Sequence, residues 1–182
     1  MPVSDPLAFD LLRAFAQLEF RLKSDPGFLR AGPYRMAQVN WPAVDEAVSR
    51  LDDPLFFDRV SDSTREQILT PPRDRPMVQE VAVINGLNHA VFQRLPLHQS
   101  NARALIEAAR RVRNNLFHGG KEEPHLGDDD EWAAAALDVA ECPLHLLNYG
   151  TLRSGVGPWG RWDAHALPED RIACRRQTPA DR

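Results

Sequence analysis

Cysteine is nearly missing from this chain: Cys142 and Cys174 are its only two, far apart and in no C-x-x-C arrangement. That excludes a multi-cysteine zinc site and offers no disulfide framework, so a reduced, cytoplasmic setting is the default expectation. Long apolar runs are missing too. The apolar stretches are short and broken by charge, well under the roughly 18 residues of a membrane span. Near the start no basic segment leads into an apolar one, so neither a signal peptide nor a membrane span is expected. Positive charge is in the minority, with 22 Lys and Arg against 26 Asp and Glu and a formal net charge of −4. A general nucleic-acid coating protein would be basic, so any RNA contact here has to be local. No Gly-rich phosphate loop or G-x-S-x-G elbow occurs. His89, His98, His125, His145 and His165 share no spacing of zinc ligands. The acidic run from Asp128 to Glu131 reads as a solvated helix start rather than a cation site. Neither a metal nor a cofactor is expected.

What the chain does have is apolar periodicity. Hydrophobic residues make up 43% of its 182 positions, enough for one globular domain. Leu7, Leu11, Phe15, Leu18 and Leu22 form one face of a helix over 6–23, with Pro6 in its first turn and Ser4 or Asp5 as its cap. Trp41, Val44, Val48 and Leu51 mark a shorter helix over 41–51, capped by Asn40. A further turn is expected over 54–60, and Ser63-Thr64-Arg65-Glu66 matches a capping box opening a brief helix to Leu69. Val78, Val81, Ile84 (or Val83), Leu87, Val91 and Leu95 read as the buried side of a helix over 77–94. The next covers 101–118, with Ser100 as cap, Leu105, Ile106, Ala109, Val112, Leu116 and Phe117 as apolar positions, and Gly119-Gly120 as its stop. The last runs from 128–131 to about Tyr149, and Pro143 inside it predicts a kink or break near Glu141-Cys142. No internal repeat or convincing strand alternation is found. The expected fold is therefore all-α: a bundle of four to five main helices over 1–149, then an irregular C-terminal tail over 150–182 that docks in part through Trp159 and Trp162.

The helix over 101–118 carries the chemistry. Residues 100–121 hold Arg103, Arg110, Arg111, Arg113 and Lys121 against a single acid, Glu107. This is the local basic patch that RNA binding requires, with Arg110, Arg111 and Lys121 as its candidate RNA contacts. Asn114 and His118 are four residues apart and share one helix face, so the amide can fix the imidazole's orientation. Arg113 lies about 140° around the axis from His118, so one copy brackets a phosphate poorly and two copies across a two-fold bracket it better. RNA supplies its own nucleophile, the 2′-OH. Cleavage then needs a proton carrier near neutral pH, which histidine provides, and donors for the phosphoryl oxygens, which arginine provides. No metal is required for that route. Spacing alone reads as an ordinary helix end, since basic side chains there satisfy the dipole. Glu19, in the first helix, can reach the motif helix and pair with an Arg, or serve as a solvated or structurally paired carboxylate. Asn115 is a further supporting candidate.

At Arg113-Asn114-Asn115-Leu116-Phe117-His118 the chain resembles the HEPN superfamily, whose mark is an Arg, a polar residue and, after four to six intervening positions, a His near the end of a late helix. The run through Gly119-Gly120-Lys121 is similar to stand-alone bacterial members of the Apea-like kind, and Phe15 to Lys23 resembles their first helix. The resemblance covers about residues 7–149. It implies a helical bundle that dimerises through the motif helices, and a metal-independent ribonuclease site of Arg113, Asn114 and His118 from both chains. It also implies a toxin, phage-defence effector or RNA-processing enzyme restrained by an antitoxin or other regulatory protein. Some members carry a Tyr two residues after the His, the target of a partner nucleotidyltransferase. Gly120 stands there in this chain. Other members are non-catalytic RNA- or protein-binding modules, which is the alternative reading.

Overall fold

The computed structural model describes residues 3–51, 53–117 and 129–155. Among them are five α-helices and two small two-stranded sheets. Helix α1 (Asp5–Lys23) is followed by a short hairpin of β1 (Leu29–Ala31) and β2 (Ala37–Val39), then by α2 (Trp41–Ser49). Two single 3-10 turns, Asp53–Leu55 and Phe57–Arg59, lead to α3 (Asp62–Leu69). A second hairpin, β3 (Val78–Ile84) and β4 (Leu87–Gln93), precedes α4 (Asn101–Phe117) and α5 (Asp129–Asn148). None of these helices is long and apolar enough to cross a membrane.

Helix α5 is the axis of the bundle. Its small buried residues Ala133, Ala135, Ala136 and Ala140 let α1 and α4 approach closely. Helix α1 presents Leu11, Ala14, Phe15, Leu18 and Leu22, and α4 presents Ala104, Leu105, Ala108, Ala109 and Val112, all buried. Hydrogen bonds at both ends set α1 parallel to α5: Ser4 N–H donates to Asp130 Oδ1 (2.7 Å) and Arg21 Nε to Asn148 Oδ1 (3.1 Å). Gly150 (φ +68°) ends α5, with its N–H on the Leu147 carbonyl and Thr151 N–H on that of Leu146, the reciprocal pair of a Schellman turn. Residues 150–155 stay against the bundle. Leu152 is buried in the same core, and Ser154 donates twice to Asp25, 2.6 Å from its hydroxyl and 3.1 Å from its N–H. Trp159 and Trp162 lie outside the described residues.

The expectation of an all-α chain needs correction, because the fold is mainly helical with two small sheets. Residues 77–94 form an antiparallel hairpin and not a helix. Asn85 (φ +53°) and Gly86 (φ +78°) occupy the two left-handed positions of a type I′ turn, which Asn-Gly favours. Apolar residues stand on both faces of these strands, so they satisfied a helical repeat by coincidence. Residues 29–39, between the first two expected helices, form the smaller hairpin. The cap of α3 is Ser61, two residues earlier than the capping-box pattern placed it: its Oγ accepts the Thr64 N–H (3.3 Å) and donates to Asp138 of α5 (2.7 Å). Helix α5 continues through Pro143 to Asn148 without a break, because the buried Pro143 costs one backbone bond that its packing outweighs.

One side chain joins the second hairpin to the bundle. Arg111 is 9% exposed and donates to the carbonyls of Pro76 (3.2 Å), Leu95 (2.6 Å) and Pro96 (3.3 Å) and to Glu107 Oε1 (2.6 Å). It clamps the two strand roots to α4, and Asn115 Nδ2 adds a bond to the Met77 carbonyl (2.8 Å). Arg111→Met keeps the bulk but strands three carbonyls and a carboxylate. Its expected cost is about 2–4 kcal/mol of unfolding free energy, read as a lower urea midpoint. The exposed control Arg13→Met should lose less than about 0.5 kcal/mol.

Candidate functional site

The helical repeat of α4 sends neighbouring motif residues in three directions. Arg103, Glu107, Arg110 and Asn114 follow one another at intervals of four, three and four and share a face. That face, with Arg111, lines a cleft of about 520 Å³ closed on the other side by Pro42, Asp45 and Glu46 of α2 and by Val78, Leu95 and His98. Arg113 lies about 90° around the axis from that face, toward α1. Asn115 turns toward the hairpin root.

On the α1 side, Arg113 Nη2 donates to Glu19 Oε1 (2.7 Å) and Nη1 to Asn114 Oδ1 (2.9 Å). Its guanidinium stands 5.8 Å from the centroid of the Phe15 ring, at the outer reach of a cation–π contact. Glu19 Oε2 lies 3.7 Å from Lys23 Nζ, one turn on. The cluster of Arg113, Asn114, Glu19 and Lys23 is partly exposed and carries one net positive charge. Glu19 therefore fixes the direction of Arg113 while cancelling its charge.

In the cleft, the Arg110 guanidinium stacks 4.5 Å over the Trp41 ring and stands 3.8 Å from Asp45 Oδ2. Asp45 Oδ1 is buried without a hydrogen-bond partner. Burial pushes the Asp45 carboxyl above its usual range despite the attraction of Arg110, and burial also pulls the Arg110 guanidinium down. Both shifts have one cause: at 3.8 Å the mutual attraction does not offset the loss of water. Arg103 Nε donates to Ser49 Oγ (3.0 Å). Glu107 uses both oxygens, one on Arg111 and the other on the His98 N–H (3.0 Å). His98 Nδ1 accepts from Ser100 N–H (3.0 Å), which makes Nε2 the protonated nitrogen of the neutral ring.

The fold thus brings Arg113, Asn114 and Glu19 together, and places Arg110, Arg111 and Asn114 around the cleft. Asn115 is held away at the hairpin root. His118 and Lys121 lie outside the described residues. The arginines of α4 do not form a uniformly basic surface, because Asp45 and Glu46 of α2 and Glu19 of α1 are brought against them. Arg111, expected to contact RNA, is taken up by the clamp described above. Asp45 and His98 reach the cleft from other elements, and no local spacing marked them. Among the described residues, no three His, Cys, Asp or Glu side chains gather as a metal site. No protein-family model, curated protein or solved structure matches the chain.

The Asp45 environment sets a pH dependence. A carboxyl that holds its proton more tightly when folded adds most stability below its ordinary value of 3.8, and loses that contribution as pH rises toward the folded value. The free-energy difference between wild type and Asp45→Asn should therefore shift against wild type as pH rises above 3.8. Urea unfolding of both proteins across that interval checks this. A shift in the opposite direction would mean that Arg110 outweighs burial.

Proposed function

We propose that the protein is a metal-independent endoribonuclease of the HEPN type, acting as a toxin or phage-defence effector. The observation that carries the reading is the constellation at the end of α4. Arg113 and Asn114 are hydrogen-bonded to each other, oriented by Glu19, and followed in sequence by His118 at the motif spacing. In this reading Arg113 neutralises the scissile phosphate. Asn114 orients His118 or touches the phosphate itself. His118 moves the proton or stabilises the charged phosphorane-like state. The ribose 2′-oxygen forms a bond to phosphorus while the bond to the 5′-oxygen breaks. The 2′ proton leaves to a base, and the departing oxygen takes one. Arg110 and Lys121 serve the flanking phosphates. The active species is a homodimer through the motif helix, at home in the cytoplasm and held in check by an antitoxin or other regulatory protein.

One observation favours a second reading, a non-catalytic dimerisation module that binds RNA or protein. Arg110, Arg111 and Arg113 each already face an internal carboxylate. A structural role for these arginines requires no substrate.

Purified protein incubated with RNA in excess EDTA separates the two. The ribonuclease reading predicts cleavage that His118→Ala and Arg113→Ala each lower by at least about 10²-fold. Glu19→Gln, which keeps an acceptor for Arg113, should retain more activity than Glu19→Ala. Equal survival of RNA with wild type and His118→Ala would support the module.

A further inference from the structure

The second hairpin stands out from the bundle. Its strands are seven residues each, on the order of 23 Å long. Only its root is fixed, by Arg111 and Asn115. Farther out, Val81 (71%), Val83 (70%), Leu87 (65%) and Ile84 (47%) are exposed. Among the described residues no third strand pairs with either edge. A two-stranded ribbon alone in water is marginal, and open edges are ordinarily blunted by Lys, Pro or a bulge. Neither strand contains Lys, Arg or Pro, and the paired register runs unbroken from Val78↔Gln93 to Ile84↔Leu87. Residues 77–93 carry a single formal charge, Glu80. With no cation to meet a phosphate, the ribbon suits neither nucleic acid nor an anionic lipid surface.

The sequence of β3 is matched to itself. Laid antiparallel on a second copy about Val81, it sets Val78 opposite Ile84, Gln79 opposite Val83, Glu80 opposite Ala82 and Val81 opposite Val81. Each apolar residue then meets another apolar side chain or the stem of Gln79, and Glu80 meets a methyl group rather than its twin. The two Glu80 carboxylates become diagonal neighbours, about 7–8 Å apart and open to water. The same operation on β4 about Ala90 sets Asn88 against Phe92 and Leu87 against Gln93, a poorer match. The outer edge of β3 is exposed from Glu80 to Ile84 apart from the half-buried Ala82.

We infer that β3 is a dimerisation edge whose partner is a second copy of this chain, paired antiparallel about Val81 into a continuous four-stranded sheet. The contact is isologous, as a two-fold requires, and adds about six main-chain hydrogen bonds, from Gln79, Val81 and Val83 of each copy, to a ribbon that otherwise has two open edges. It is a second contact beside the motif-helix dimer of the ribonuclease reading, since Val81 takes no part in the cleft or in the Arg113 cluster, and the two contacts together build an assembly larger than a dimer.

Cross-linking at the axis tests it. Directly opposed strand residues have Cα atoms about 4.5–5.5 Å apart, within the range of a disulfide. In a full-length Cys174→Ser background, Val81→Cys should oxidise to a covalent dimer. Val83→Cys should not, because its twin lies four residues along the strand, about 13 Å away. Val81→Lys, at a site exposed in the single chain, should weaken self-association at least tenfold by analytical ultracentrifugation while leaving the circular dichroism spectrum unchanged. Failure of Val81→Cys to cross-link faster than Val83→Cys overturns the inference, as does unchanged association of Val81→Lys. Association that is lost in Arg113→Ala but kept in Val81→Lys also overturns it, and places the interface on α4. RNA cleavage is read separately in each variant, so loss of this interface and loss of the nuclease reading remain distinct outcomes.

Discussion

Helix α4 must bury an alanine-rich face against α5 while carrying four arginines, and the rest of the molecule is arranged around that conflict. Its apolar residues from Ala104 to Val112 admit close packing, which brings neighbouring elements up against its flanks. Desolvating an arginine without a partner is expensive. Each flank therefore supplies an acceptor: Ser49 for Arg103, Asp45 for Arg110, Glu107 and three carbonyls for Arg111, and Glu19 for Arg113. The four solutions differ in strength. The Arg111 set engages both terminal nitrogens, with two bonds each, and holds a hairpin in place. The Arg110 pair at 3.8 Å is loose, and burial dominates both of its partners.

That ordering separates scaffold from chemistry. A guanidinium whose two terminal nitrogens are both spent inside the fold, as in Arg111, has no free fork for a phosphate. Arg113 is different: it is partly exposed, is held by one carboxylate and one amide, and stands beside Asn114, which faces the cleft. A phosphate placed there would compete with Glu19 and with the Asn114 amide oxygen. The same carboxylate that would orient Arg113 in a complex would mask its charge in the free protein.

Much of the bundle was legible in the sequence because its signals are local. The helix over 6–23 appears as α1, and the stripe of Leu11, Phe15, Leu18 and Leu22 is its buried face. Glu19 pairs with Arg113 of the motif helix and with Lys23, so it fits both the arginine-partner reading and that of a structurally paired carboxylate. What was lost depended on choosing between periods. Val78 to Val91 satisfies a helical stripe, yet Asn85-Gly86 and the run of valines are a hairpin's signature, and the turn residues should have outweighed the spacing. The cleft was not legible at all. Asp45, His98 and Arg110 lie on different elements, and their meeting depends on how α2 and the 95–100 segment pack against α4. The net charge of a sequence segment is likewise no guide to the charge of a surface, because tertiary contacts bring in acids from elsewhere.

The central claim is chemical: the RNA's own 2′-oxygen is the nucleophile and the α4 constellation serves it. The most direct measurement follows cleavage, in EDTA, of an oligoribonucleotide cut at a mapped position and of the same oligomer with one 2′-deoxy sugar at that position. The account predicts scission of the first to a 2′,3′-cyclic phosphate and a 5′-hydroxyl, and an intact second. Equal scission of both, or of neither, would contradict it.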